Sequence, residues 1–303
     1  MKKIILFVFG LFMMLGLASC GEAADSYKLS VVAPSGAPAV AVSTLAEKDS
    51  DSYTFVAADA IGAQFQAKEL KDIIIAPINA GAIQFKNNAK YKLGAVLTWG
   101  NLYFVTKNAN VNTIADFAGK NVTLFGANTI NEAIAQYVLS NKNIEVNYEE
   151  AAASAAASFS KLTDDNIVLT AEPLVTTKKL NGLNIKSFSV ADLYEEISGN
   201  KGFAQAGLFI NVDTIANHKS VVDAYLKEVS NACKLVKTDL DKVANACVSL
   251  GLFTSVQIAT QAIPNSKISY KSAKDAKAEV EATANIKLKT FGGALPVNEF
   301  YYE

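Results

Sequence analysis

Asp72-Ile73-Ile74-Ile75-Ala76-Pro77-Ile78-Asn79-Ala80 is the stretch from which the fold can be read. Ile73 to Ala76 is a short apolar run of mostly β-branched residues, the pattern of a strand. Pro77 then opens a helix through Phe85, since the first helical turn tolerates proline. The same strand-then-helix unit occurs twice upstream. Tyr27 to Ala33 reads as a strand, followed by the loop Ala33-Pro34-Ser35-Gly36-Ala37-Pro38 and an apolar-periodic helix from Pro38 to about Lys48; Tyr53 to Ala57 is a strand and Ile61 to Glu69 a helix. Strands that alternate with helices predict parallel pairing, with helices on both faces of the sheet.

Downstream the pattern changes and then restarts. Lys92 to Trp99 and Asn101 to Lys107 are extended apolar stretches broken only at Gly100. A second alternation begins at Val111, with a short helix at Ile114 to Phe117, a strand at Lys120 to Phe125 and a helix at Asn131 to Ser140. Ile144 to Tyr148, the alanine-rich Ala151 to Leu162, and Ile167 to Thr170 continue it. Ala206 to Asn211 is a strand, after which Ser220 to Phe253, Ser255 to Ala262 and Ser272 to Ala284 read as helical and the tail returns to the first lobe. Trp99 to Lys107 and Ala206 to Asn211 therefore read as two crossovers between lobes. Residues 27–100 and 207–303 are expected to form a discontinuous lobe I and residues 101–206 lobe II, with a natural hinge between them.

At the start of the chain, Lys2 and Lys3 precede an apolar run from Ile4 to Leu17, too short to span a hydrocarbon core of about 30 Å comfortably and suited to a secretory signal. Leu17-Ala18-Ser19-Cys20-Gly21 resembles the lipobox of bacterial lipoproteins, which implies a signal peptide over residues 1–19, a diacylglycerol on Cys20 and a short tether over residues 20–26. The mature chain is then expected on the outer face of the cell membrane, on the periplasmic side where an outer membrane exists, held by its lipid. The 28 basic and 29 acidic residues balance to a net charge of −1 without blocks of one sign, which leaves no electrostatic footprint for nucleic acid. All the basic residues are lysines. The chain thus lacks the side chain best suited to clamp an anion with two parallel hydrogen bonds. Cys233 and Cys247 lie either side of Leu240 in a helical hairpin; they are read either as a disulfide or as two buried free thiols, because packed helices lie farther apart than a bridge spans.

Little in the sequence suggests catalysis. The single histidine, His218, falls in Asn217-His218-Lys219-Ser220 at a helix start, where surface turn chemistry accounts for it. No nucleophile elbow, zinc-protease, dithiol, P-loop or dinucleotide motif is present, so no catalytic residue, metal or cofactor is expected. The chain offers instead four loops at the carboxyl ends of predicted parallel strands, the edge where open α/β sheets place their ligands. Ser35 and Gly36 supply a hydroxyl and a close backbone approach, unless the loop is a plain turn. Asn79 supplies an amide that both donates and accepts. In the third loop Thr129 and Glu132 form a T-x-x-E capping box, and Gly126 to Asn128 leave backbone donors near a positive helix end. Glu172, in the fourth, either favours the dipole of a proline-started helix or accepts from a ligand N–H. Trp99, with Tyr103 or Phe104 beyond it, adds an aromatic face close to the hinge, though core packing is the commoner role of such residues.

In this order, the pieces resemble the type II periplasmic-binding-protein fold, and within it the ABC-transporter solute-binding family for nitrate, sulfonates, taurine and the thiamine-precursor pyrimidine. Ala33 to Pro38 is similar to that family's first ligand loop and Asp72 to Ala80 to its D-strand-P-x-N segment. Asp116, Gly119 and Lys120 match its L-x-D-L-x-G-K-x-V element, Val168 to Pro173 its strand-x-E-P loop, and Gln205 to Asn211 its return hinge strand. The resemblance implies a two-lobed α/β fold with two hinge crossovers and a mostly helical C-terminal region. It also implies a monomeric, non-enzymatic receptor that captures a small molecule and delivers it to a permease. Without arginine the reading leans to a flat polar heterocycle such as a thiamine-precursor-like pyrimidine; a nitrate, sulfonate or taurine-like anion is the alternative. From other classes stand a pyrimidine-synthesising enzyme of the same superfamily, whose iron site is rich in cysteine and histidine, and a ligand-free structural lipoprotein.

Overall fold

The computed structural model describes residues 26–88 and 90–303, so the signal peptide, Cys20 and nearly all of the tether lie outside the described residues. Lobe I is built on a six-stranded sheet, in the order β11-β4-β10-β3-β1-β2. Its strands are β1 (Val31–Pro34), β2 (Tyr53–Val56), β3 (Ile73–Pro77), β4 (Tyr91–Thr98), β10 (Ala206–Asn211) and β11 (Ile268–Ser272). Lobe II is built on five strands in the order β7-β6-β8-β5-β9: β5 (Leu102–Thr106), β6 (Asn121–Thr123), β7 (Asn147–Tyr148), β8 (Ile167–Ala171) and β9 (Lys186–Ser189). The helices of lobe I are α1 (Ala37–Val40), α2 (Ser43–Ala46) and α3 (Ile78–Asn88), then α8 (Val212–Asn217), α9 (Lys219–Thr238), α10 (Leu240–Ser249), α11 (Val256–Asn265) and α12 (Lys277–Ile286). Those of lobe II are α4 (Ile130–Asn141), α5 (Ala155–Ser160), α6 (Leu174–Leu180) and α7 (Val190–Ser198).

The two-lobed α/β architecture with two crossovers and a helical C-terminal region is present, but the pairing is mixed where alternation predicted parallel sheets. β1 pairs parallel with β2 and β3, whereas β10 runs antiparallel to β3 and β4 and β11 antiparallel to β4. In lobe II, β6 pairs parallel with β7 and β8, while β5 is antiparallel to β8 and β9. Two of the reversed strands, β5 and β10, enter their sheets directly from the other lobe. Neither closes a strand-helix-strand unit within its own sheet: β5 follows β4 of the other lobe with no helix between them, and β10 comes from β9 of lobe II through α7.

Alternate residues of the central strands feed opposite cores, as a strand covered on both faces requires. Ile73 and Ile75 join the cluster beneath α9 and α10, and Ile74 joins Phe209 and Phe300 on the other face. Gly81 of α3 is needed here, because a Cβ would lie 2.1 Å from the ring of Phe209. Ile130 and Ala133 of α4 also reach that second core, so the lobes pack on one another where they meet.

Several boundaries differ from expectation for local reasons. The helix predicted from Pro38 to Lys48 is split into α1 and α2, and the Ser43 hydroxyl donates to Val40 O at the break. The stretch from Ile61 to Glu69 forms a 3₁₀ helix over Ala58–Gln66. The alanine-rich segment turns helical only after Ser154, which caps α5, because Ala152 first pairs with Phe125. β9, α7 and β11 had no counterpart in the sequence reading. Both cysteines are free and buried rather than bridged. Each thiol faces the α1–α2 segment instead of the other: Cys233 Sγ lies 3.8 Å from Ala41 O and Cys247 meets Ser43. Burial pushes their pKa values up to about 12 and about 11.

Candidate functional site

The lobes meet at a chain of amides. At the carboxyl end of β3, the Ile78 N–H donates to Gln205 O at 3.0 Å, which ties the start of α3 to the second crossover. The Gln205 side chain then reaches in two directions: Oε1 accepts from Asn101 N at 3.0 Å and Nε2 donates to Asn131 Oδ1 at 3.2 Å. Asn101 in turn accepts from Glu172 N at 3.0 Å and donates through Nδ2 to Glu172 O at 3.2 Å. One hydrogen-bonded path therefore runs from the β3 loop of lobe I to the β8 loop and the first turn of α4 in lobe II. The two crossovers touch closely beside it. A Cβ on Gly202, whose φ is +92°, would lie 2.1 Å from Trp99 O, so only glycine lets the straps run together.

Asn79 sits one residue into α3, 6% exposed. Its Nδ2 donates to Thr290 O at 3.4 Å, which fixes the amide orientation, since a flip would turn oxygen towards oxygen. The other end, Oδ1, is buried without a hydrogen-bond partner. An unpaired buried acceptor is costly, on the order of 1–3 kcal/mol, and calls for a donor.

The remaining predicted residues are placed as follows. Ser35 is exposed, its N–H donates to Val56 O at 2.8 Å, and Gly36, at φ +111°, has open space where a Cβ would stand. The third loop is more self-contained than expected. Gly126 N donates to Ala152 O, and Glu132 accepts from Asn128 N, one residue earlier than a capping box would put it. Thr129 caps α4 at Asn131 N and donates to Gly126 O at 2.6 Å. Glu172 is 4% exposed, and its carboxylate accepts from Thr176 N and Thr176 Oγ1 in the first turn of α6, at 3.1 and 2.7 Å. Burial raises its pKa, opposed by the hydrogen bonds of Thr176 and Asn265.

Trp99 turns towards β11. Its indole N–H donates to Ser269 O at 2.8 Å, and its ring lines a cavity of about 540 Å³ rather than the loop cluster. A second cavity, of about 520 Å³, lies between α2, α9 and Tyr53 and touches none of the four loops.

Two lobe-spanning ion pairs flank the junction, Lys287 with Glu132 at 3.6 Å and Lys267 with Asp192 at 2.7 Å. His218 lies elsewhere, stacked on Tyr27 with ring centroids 3.7 Å apart. Among the described residues no group of three His, Cys, Asp or Glu side chains is placed to hold a metal ion. The junction thus presents neutral amides and hydroxyls, groups that recognise polar ligands by direction rather than by charge. Gln205, Asn101 and Asn131 are its organising residues and were not singled out from the sequence; isolated amides at crossovers carry no periodic signal.

Two mixed α/β lobes, two adjacent crossovers and a polar junction define the fold of the periplasmic solute-binding proteins. A family model described as NMT1/THI5 like matches residues 93–240, across the first crossover, lobe II and the return strand. Among solved structures, the chain is similar to that of an ABC transporter from Parabacteroides distasonis (TM-score 0.73, 19% identity, 91% of this chain and 99% of that one). It is similar also to the periplasmic aliphatic sulphonate binding protein SsuA from Escherichia coli (0.69, 12% identity, 92% and 93%). A third likeness is to the ligand-binding component of an ABC-type import system from Staphylococcus aureus with zinc bound (0.68, 11% identity, 90% and 96%). No curated protein sequence matches significantly. The resemblance read from the sequence is in keeping with the family match over residues 93–240 and with the shared fold.

Proposed function

We propose that this chain is the extracytoplasmic solute-binding component of an ABC importer, and that it closes residues 27–100 with 207–303 over residues 101–206 on a small polar molecule. The observation that supports this most directly is the meeting of loops from both lobes at Gln205, beside a buried acceptor without a partner. Asn79 Oδ1 requires a donor, which favours a ligand with N–H or O–H groups, such as a polar heterocycle, over nitrate or a sulfonate, which offer only acceptors. Ser35, Gly36, Gly126, Asn128 and Thr129 are proposed as further ligand contacts from the other loops, and Glu172 positions the fourth loop through its backbone. A ligand of this kind shifts the open–closed equilibrium only by its preference for the closed form.

Mass spectrometry of small molecules released on denaturing the purified chain, followed by a thermal-shift panel of pyrimidines, other heterocycles, sulfonates and nitrate, tests the reading. A true ligand at 100 times its Kd adds about 2.7 kcal/mol of stability. Asn79→Ala is expected to remove that shift while the unliganded protein stays folded. A panel with no shift and no co-purified molecule would count against the receptor reading, and a shift with sulfonates alone would turn it to the anion alternative. Attachment through Cys20 is part of the same proposal: Cys20→Ala should move the chain from the membrane fraction to the soluble fraction.

A further inference from the structure

The cavity of about 540 Å³ beside β11 adjoins the crossovers but is lined by none of the four loops or of the amides that join them, and its size is that of a small-molecule site. Its floor is apolar and held rigidly. Trp99, 9% exposed and the only tryptophan in the chain, is gripped by β11 and the residue before it: its backbone N–H donates to Lys267 O at 3.0 Å and its indole N–H to Ser269 O. Lys267 holds this grip with φ at +50°, a left-handed conformation that a lysine seldom adopts. Ile268, Tyr270 and Val236 extend the apolar wall.

Four lysines and one carboxylate, Glu279, line the same cavity in a chain whose net charge is −1. Lys267 and Lys271 are accounted for. Lys267 precedes an edge strand and Lys271 lies within it, where lysine discourages pairing with other chains, and they are matched by Asp192 and Glu279. Lys201 and Lys237 have no such counterion among the described residues. They arrive from unrelated elements, the second crossover and the last turn of α9, and both are exposed at the same cavity. Two cations without counterions at a cavity that Trp99 and Tyr270 also line gain from an anion, the more so where part of the ligand is withdrawn from water.

We infer that this cavity is a second binding site, for a small aromatic anion whose ring lies against Trp99 and Tyr270 and whose charge sits between Lys201 and Lys237. Because Trp99 is the single tryptophan, its emission reports occupancy. Phenyl phosphate is the probe, with phenol and inorganic phosphate as controls that each carry half of the recognised chemistry. Phenyl phosphate is expected to change Trp99 emission saturably, with affinity at least about tenfold above either control and falling as salt is added. Lys201→Gln combined with Lys237→Gln should weaken binding about tenfold with melting unchanged, because both side chains are exposed. Asn79→Ala should leave the titration as it is. No saturable change at millimolar phenyl phosphate, or undiminished affinity in the double variant, overturns the site. Loss of the signal in Asn79→Ala would place the probe at the lobe junction instead and overturn it equally.

Discussion

Asp72 and Glu172 are two buried carboxylates, 8% and 4% exposed, at opposite ends of comparable strands, and their surroundings push them in opposite directions. Asp72 immediately precedes β3. It accepts from Tyr27 Oη at 2.9 Å, from Ser30 N at 2.8 Å and Ser30 Oγ at 2.7 Å, and from Thr214 Oγ1 at 2.6 Å. Burial alone would raise its pKa, but the donors from Thr214, Ser30 and Tyr27 outweigh it, and the carboxyl lies below its ordinary value. Glu172 immediately follows β8, and there burial outweighs the donors. At the amino edge the donors around Asp72 thus outweigh burial, while at the carboxyl edge, where the lobes meet, burial outweighs the donors around Glu172. Asn79 Oδ1 belongs to the same pattern. A scaffold that must stay fixed and a junction that must still gain a partner are expected to differ in this way.

The largest effect should come from breaking the amino end. Asp72→Ala removes an acceptor shared by β1, α8 and Tyr27, leaving several donors without it, and a loss of about 3 kcal/mol in chemical denaturation is expected. Asp72→Asn keeps the shape but loses the charge and half of the acceptor capacity, so it should cost about half as much. If Asp72→Ala costs no more than an ordinary surface change, under about 0.5 kcal/mol, the contrast between the two ends fails.

A smaller effect is expected at the hub between the lobes. Gln205→Ala removes two side-chain hydrogen bonds, to Asn101 N and Asn131 Oδ1, worth about 1 kcal/mol each at most, and should lower stability by about 1–2 kcal/mol. Its sharper signature is in scattering: if this amide joins the lobes, the unliganded variant should sample a larger radius of gyration than the parent. An unchanged scattering curve with full loss of stability would mean that the amide acts within lobe II, where Asn101 and Asn131 lie, and does not hold the lobes together.

How far the sequence reveals these two ends follows from what writes a pattern into it. β1, β3, β4, β8 and β10 were legible because strands covered on both faces are continuous apolar runs, and the loops after β1, β3 and β8 followed from them. β9, Lys-Ser-Phe-Ser, and β11, Ile-Ser-Tyr-Lys-Ser, are edge strands with half-exposed polar faces, and they read as loop. Asp72 was visible only as the first letter of a motif. Its partners Tyr27, Ser30 and Thr214 come from segments far apart in sequence, and tertiary structure alone brings them together. The same holds for Gln205. Trp99 was read mainly as a core residue, with stacking on a ligand as the alternative; it is buried in the second core, and β11, unread, supplies the carbonyl to which its indole N–H donates.

The smallest effect, and the one that separates the two carboxylates most cleanly, is in the pH dependence of stability. Stability rises with pH wherever the unfolded chain binds more protons than the folded one. The depressed Asp72 gives that sign below about pH 4: its contribution is present at neutral pH and is lost as pH falls through the folded value, and Asp72→Asn should flatten that acid limb. Glu172 has the opposite sign. Its folded carboxyl keeps its proton to higher pH than the unfolded one, so its contribution is largest in acid and declines as pH rises from about 4 through the raised folded value. Glu172→Gln holds a neutral group of the same shape against Thr176 and should remove that decline, leaving the variant as stable as the parent at neutral pH or more so, by up to about 1 kcal/mol. Urea melts from about pH 2 to 7 on both variants measure it. A Glu172→Gln variant that loses stability at neutral pH would mean that the ionised carboxylate is as well supplied at the carboxyl edge as at the amino edge, and the asymmetry between the two ends would rest on Asn79 alone.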